Sequence, residues 1–61
     1  MTIAFQGHVE KLERGAGNTI IYIHGDSTVC DETIVVRAPS AIAEKYHPGV
    51  AVSVTIYPLV K

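Results

Sequence analysis

Val50-Ala51-Val52-Ser53-Val54-Thr55-Ile56-Tyr57 is the stretch on which the fold turns. Its valines and isoleucine take every second position and mostly small or hydroxylated residues fill the gaps, which is how a strand with one face toward a core is written. Pro58 ends the run, because proline has no N–H to give to a ladder. Pro48-Gly49 supplies the turn that feeds it.

The same period extends toward the N-terminus. Ile3, Phe5 and Val9 alternate with polar residues up to Leu12, which predicts a first strand of roughly nine residues. Gly7 lies inside it, where glycine signals a bulge or a close backbone approach. Arg14-Gly15-Ala16-Gly17-Asn18 then offers residues tolerant of positive φ, and it reads as a tight link between antiparallel strands. Thr19 to His24 is β-branched and aromatic, a second strand. Gly25-Asp26-Ser27 opens a polar turn that runs to Asp31, and Thr33 to Arg37 forms a third strand. Pro39-Ser40 breaks the pattern, with Ser40 placed to cap a short helix through Ala41-Ile42-Ala43-Glu44-Lys45-Tyr46 before His47-Pro48-Gly49 stops it. The expectation is an all-β chain: a small OB-like barrel of about five strands, with one short helix between the last two. The fifth strand would come from a bend at Gly7 or from the tail beyond Pro58.

Length and composition bound the rest. The 61 residues make one domain, residues 1–61, and a chain so short buries only about 60% of its unfolded surface. Small domains usually add disulfides, a metal or a partner, and a single cysteine, Cys30, rules out an intrachain disulfide. A homo-oligomer, or attachment to a larger protein, is therefore expected. Hydrophobic residues make up 48% and charged ones 18%, with mean hydropathy +0.26, which describes a folded chain. The net charge of -1 gives no basic footprint for nucleic acid or an anionic membrane. No apolar run reaches the roughly 18 residues of a membrane span, and the N-terminus lacks signal-peptide character. A cytoplasmic chain with a reduced thiol, not inserted in a membrane, is the expectation.

Chemistry-bearing residues are sparse. His8, His24 and His47 stand 16 and 23 residues apart, with no i, i+2 or i, i+4 pair to build a metal face, so no metal is expected. Cys30 has no second cysteine for a zinc knuckle and no nucleophile signature around it. Asp26, Asp31 and Glu32 lack the alternate spacing of a calcium loop. Gly15-Ala16-Gly17 leads into a strand and no Gly-Lys-Ser/Thr follows, so it is not a phosphate loop. Phe5, Tyr22, Tyr46 and Tyr57 lack the basic flanks that single-stranded nucleic-acid binding needs. No paired carboxylates or triad stand out, and no enzyme is expected. The remaining candidate ligand site is Gly15, Ala16, Gly17 and Asn18 with Ser40: a glycine-rich turn exposes N–H groups, and Ser40 sits at a helix start.

Gly7-His8-Val9-Glu10-Lys11-Leu12-Glu13, Gly17-Asn18-Thr19-Ile20-Ile21-Tyr22-Ile23, Ile34-Val35-Val36-Arg37-Ala38-Pro39, Pro48-Gly49, Val52-Ser53-Val54 and Tyr57-Pro58 together resemble, in order and spacing, the TOBE domain. This is the transport-associated OB-type barrel at the C-terminus of ABC importer ATPases, and the resemblance spans nearly the whole chain. It implies a non-catalytic accessory or ligand-sensing barrel that self-associates or pairs with an ABC transporter ATPase domain, with no Walker A sequence of its own. The related molbindin-like branch implies molybdate, tungstate or another small oxyanion held at subunit interfaces. That branch opens with a Ser-Ala-Arg-Asn type segment and ends its last strand on Lys-Ala-Ser. Thr2-Ile3-Ala4-Phe5 and Tyr57-Pro58-Leu59 stand there instead, which loses that Lys and Ser and gains a proline with no N–H, leaving Ser40 and the Gly15 to Asn18 turn as donors for an oxyanion.

Overall fold

A computed structural model of the chain describes residues 1–59. Among the described residues the elements run β1 (Ile3–Arg14), β2 (Asn18–Gly25), β3 (Thr33–Pro39), α1 (Ser40–Ala43) and β4 (Ala51–Ile56). The strands form one antiparallel sheet in the order β3-β2-β1-β4, curled into a half-barrel. The all-β fold with a short helix before the last strand is thus as expected. Four of the strands are seen among the described residues. Of the two sources considered for a fifth, β1 runs through Gly7 unbroken, and the tail beyond Leu59 lies outside the described residues.

Two registers explain the curl. The N-terminal half of β1 pairs with β4, from Ile3 opposite Ile56 to His8 opposite Ala51. The C-terminal part pairs with β2, from Gly7 opposite Gly25 to Arg14 opposite Thr19. A 12-residue strand shared in this way must twist between its two partners.

The bulge falls between Val9 and Lys11, not at Gly7. Phe5, Gly7 and Val9 face inward on even spacing, whereas Leu12 is an odd three residues beyond Val9. An extra residue, Glu10, resets the alternation so that Leu12 joins the core and Lys11 turns out. Gly7 serves the close approach instead: a Cβ there would meet the His24 carbonyl on β2.

Inward positions of β2 are Thr19, Ile21, Ile23 and Gly25, all buried. Val9, Ile21, Ile23 and Ala43 form the core, with Leu12, Ile34, Tyr46, Val50, Val52 and Val54 packed around it. Arg14 ties the helical segment to β1, donating from its guanidinium to the carbonyls of Ala43 at 3.3 Å and Tyr46 at 2.6 Å. The Ala43 carbonyl ends α1 and also accepts the Tyr46 N–H at 3.1 Å, while the Tyr46 carbonyl lies three residues past the helix, so the guanidinium fastens the whole turn that follows α1.

The two glycine-bearing turns differ in backbone conformation. The Val50 N–H donates to His47 O at 3.1 Å across Pro48 and Gly49, and Gly49 has φ +91°, a type II turn that glycine makes possible. Gly15 and Gly17 do not take positive φ; among the described residues Gly49 is the one that does. What Gly15 supplies is room, since a Cβ would come within 2.7 Å of Asn18 O.

The strands make a single sheet, and the chain spans 36 × 29 × 15 Å along its principal axes with a radius of gyration of 12.4 Å. A compact chain of this length has about 10.5 Å. Its accessible surface is 4577 Å², where a compact monomer of this mass has about 3,900 Å².

Candidate functional site

The structure brings the candidate turn and Ser40 together. The Ser40 N–H donates to Gly17 O at 3.0 Å, and its hydroxyl donates to Gly15 O at 2.8 Å. Since that proton is committed to Gly15, the Thr19 hydroxyl is the donor in the 2.8 Å bond to Ser40 Oγ. Thr19 is fully buried, so this chain of hydrogen bonds satisfies a hydroxyl that would otherwise be costly. Gly15 N–H is likewise taken, by Asn18 O at 3.0 Å. Gly15, Ala16, Gly17 and Asn18 are exposed. The arrangement presents carbonyls to Ser40 and clasps the β1–β2 turn to the start of α1. Ser40 is not the helix cap: Pro39 holds that position and no side chain caps it. Proline's preset φ carries the chain out of β3, and Ser40 is freed to reach the turn.

A second feature was not singled out from the sequence: the open side of the half-barrel. β3 and β4 are the two sheet edges. On the concave face Ile3 is 46% exposed and its partner Ile56 53%. Val36, opposite Ile21 on β3, is also exposed. Tyr46, Val50, Val52 and Val54, with Ile23 behind them, line an open groove of about 480 Å³. The β4 edge carries no charged residue from Val50 to Tyr57, while β3 contains Arg37 and ends on Pro39. Natural edge strands are usually guarded by charge or proline, and β4 has neither until Pro58.

The convex face carries the polar side chains. Lys11 Nζ lies 4.5 Å from the Tyr22 ring centroid, a cation–π contact. Tyr22 OH donates to Glu13 Oε1 at 3.1 Å. That bond to the Glu13 carboxylate, with lesser contributions from desolvation and from the Glu13 charge, holds the phenol above its usual pKa. Next along the same face, His8 and His24 stand directly opposite each other on β1 and β2, ring centroids 5.7 Å apart. His8 Nδ1 meets Asp26 Oδ2 at 2.9 Å and Oδ1 at 3.1 Å. His24 Nε2 is 3.7 Å from Asp31 Oδ1. Sequence spacing hides this pair, because antiparallel register, not a short repeat, makes them neighbours. His47 lies in the turn before β4, exposed.

Among the described residues no three His, Cys, Asp or Glu groups lie together as a ready metal site. No helix there is long and apolar enough to cross a membrane. Cys30 is a free, partly buried thiol. These features define a small all-β open barrel with an apolar mouth. No family model matches the chain, and no curated protein or solved structure shows a significant match to it.

Proposed function

We propose that this chain is a non-catalytic assembly module that works by pairing with a second copy of itself along the free edge of β4. One observation carries the reading: the surface exceeds that of a compact monomer by about 700 Å², close to the roughly 800 Å² that each partner buries in a standard interface. A single sheet with an apolar concave face needs a second layer. Pairing of β4 with its copy supplies backbone partners for the edge and covers Val52, Val54 and Ile56.

Charge favours a copy over a dissimilar partner. An uncharged strand set antiparallel to itself brings no like charges together, whereas Arg37 on β3 would face its copy. The groove beside β4 is mainly apolar, with Lys45 and Ser53 the polar side chains on its wall, which suits a sheet face. The resemblance to transport-associated barrels agrees with a self-associating accessory domain and names an importer ATPase as the setting in which such pairing would be used. Analytical sedimentation of the wild type and of a Ser53→Lys/Thr55→Lys variant tests this. Both sites lie on the exposed positions of β4, so the variant keeps its fold and loses the pairing.

A further inference from the structure

We infer that β4 pairs with its copy in one register, antiparallel with the twofold axis at Val54, so that Ser53 faces Thr55 of the copy and Ala51 faces its Tyr57. This rests on the self-pairing proposed above and fixes its geometry. Hydrogen bonds at the strand margins show which backbone groups the edge offers. The Val9 N–H donates to Val50 O at 2.9 Å, one step beyond the His8–Ala51 pair that ends the β1–β4 register. Antiparallel partners alternate between bonded and non-bonded pairs. Val52, Val54 and Ile56 therefore turn their N–H and C=O groups to β1, as Val50 does its carbonyl. The other side of β1 agrees: Gln6 O accepts the Asp26 N–H at 2.9 Å, so even-numbered positions there face β2. The backbone groups of Ala51, Ser53 and Thr55, and by the same alternation Tyr57, point to the free edge.

The prolines separate the two edges. On β3 the Gly25 N–H donates to Glu32 O and the Ser40 N–H to Gly17 O, each at 3.0 Å, so even-numbered positions bond to β2. Thr33, Val35, Arg37 and Pro39 then face outward, and Pro39 has no N–H to offer there. Pro58 falls in the inward-facing set of its own strand and takes no donor from the free edge. An uninterrupted edge is thus offered by β4 and not by β3.

The axis at Val54 gives every outward group from Ala51 to Tyr57 a partner. An axis at Val52 or Ser53 sets Thr55 or Tyr57 against Gly49 of the copy, whose N–H is already given to Val9 O at 2.7 Å. An axis at Thr55 sets Ala51 against Leu59, past Pro58 and outside β4. Side chains agree with the choice. On the concave face Val54 meets Val54 and Val52 meets Ile56, which is otherwise 53% exposed. On the convex face Ser53 and Thr55 form a hydroxyl pair, and the small Ala51 leaves room for Tyr57. The sheet order β3-β2-β1-β4 then continues through the copy in reverse.

The test is disulfide trapping of single-cysteine variants in a Cys30→Ser background, beside amide hydrogen exchange of the wild-type chain. Val54 meets its copy at a non-bonded position, with Cα atoms about 4.5 Å apart, inside the disulfide range of about 4.4–6.8 Å. Val54→Cys should be trapped as a covalent dimer under mild oxidation. Ser53→Cys alone should not, because its copy lies more than about 7 Å away, whereas Ser53→Cys mixed with Thr55→Cys should give the mixed dimer. In the wild type the amides of Ala51, Ser53, Thr55 and Tyr57 should be protected at dimer concentrations and lose that protection on dilution. Those of Val52, Val54 and Ile56, held by β1, should keep it. Exchange decides the register without any substitution, so a Val54→Cys chain that fails to fold does not leave it open. A dimer trapped through Ser53→Cys and not Val54→Cys, or a dimer whose Tyr57 amide stays open to exchange, overturns the register and leaves edge pairing standing. A monomer in sedimentation, with exchange from Ala51 to Tyr57 unaffected by dilution, removes the pairing and this inference with it. Concentration-dependent protection at Val35 and Arg37 in place of β4 overturns both.

Discussion

Gly7 faces Gly25 across β1 and β2, and a methyl group at Gly7 would run into the carbonyl of His24 beside it. Backbone of a neighbouring strand is the obstacle, so relief requires the strands to part. Gly7→Ala should destabilise the fold by about 2 kcal/mol, read as a lowered urea midpoint. Gly17→Ala is the matched control, because a Cβ there meets nothing within 4 Å and its φ is not positive. It should be neutral or stabilising by about 0.5 kcal/mol. Equal losses in both would show that the Gly7 contact is not what sets the strand separation.

Ser40→Ala removes the partner of the buried Thr19 hydroxyl and the clasp on Gly15 O. The expected cost is about 1–2 kcal/mol, with amide hydrogen exchange quickening at the β1–β2 turn. Thr19→Val should cost less, since it removes the buried hydroxyl along with its need. A Ser40→Ala protein as stable as the wild type would contradict the clasp.

Tyr22 should ionise above pH 10, its usual value, in a spectrophotometric titration on a Tyr46→Phe/Tyr57→Phe background. The folded chain holds the phenolic proton more tightly than the unfolded one. The Glu13 contact therefore stabilises below the unfolded value and is lost as pH rises through the folded one. Glu13→Gln should bring the titration back toward its ordinary range. An unchanged midpoint in that variant would remove the carboxylate as the cause.

Strand content was open to reading because alternation is local. β4 and the even-spaced inward residues of β1 and β2 show their faces without any partner being known. The bulge at Glu10 is also written in the sequence, as the odd interval from Val9 to Leu12, a weaker local signal than the glycine at position 7. Helix capping went the other way. Ser40 has the chemistry of a cap, yet Thr19 and Gly15, distant in sequence, claim its hydroxyl, and a purely local signal does not register that competition. The candidate turn residues and Ser40 do meet in space, though what holds them is their own hydrogen bonding. The His8–His24 pair and the open β4 edge depend on register and sheet order, which periodicity alone does not specify.

Arg14 links β1 to the carbonyls of Ala43 and Tyr46, and Tyr46 lines the groove beside β4. Arg14→Met keeps the apolar stem and removes the donors. It should cost about 1–3 kcal/mol, the range for a hydrogen bond to a charged group, and loosen Tyr46, seen as a loss of dispersion in its ring signals. Unchanged Tyr46 signals would place the anchor elsewhere.

Sedimentation of the wild-type chain across micromolar to submillimolar concentration, beside the Ser53→Lys/Thr55→Lys variant, bears most directly on the open edge. A wild type that dimerises and a folded variant that stays monomeric are the expected pair of results. A wild type that remains a stable, folded monomer throughout, or a variant that dimerises equally well, would contradict assembly through β4.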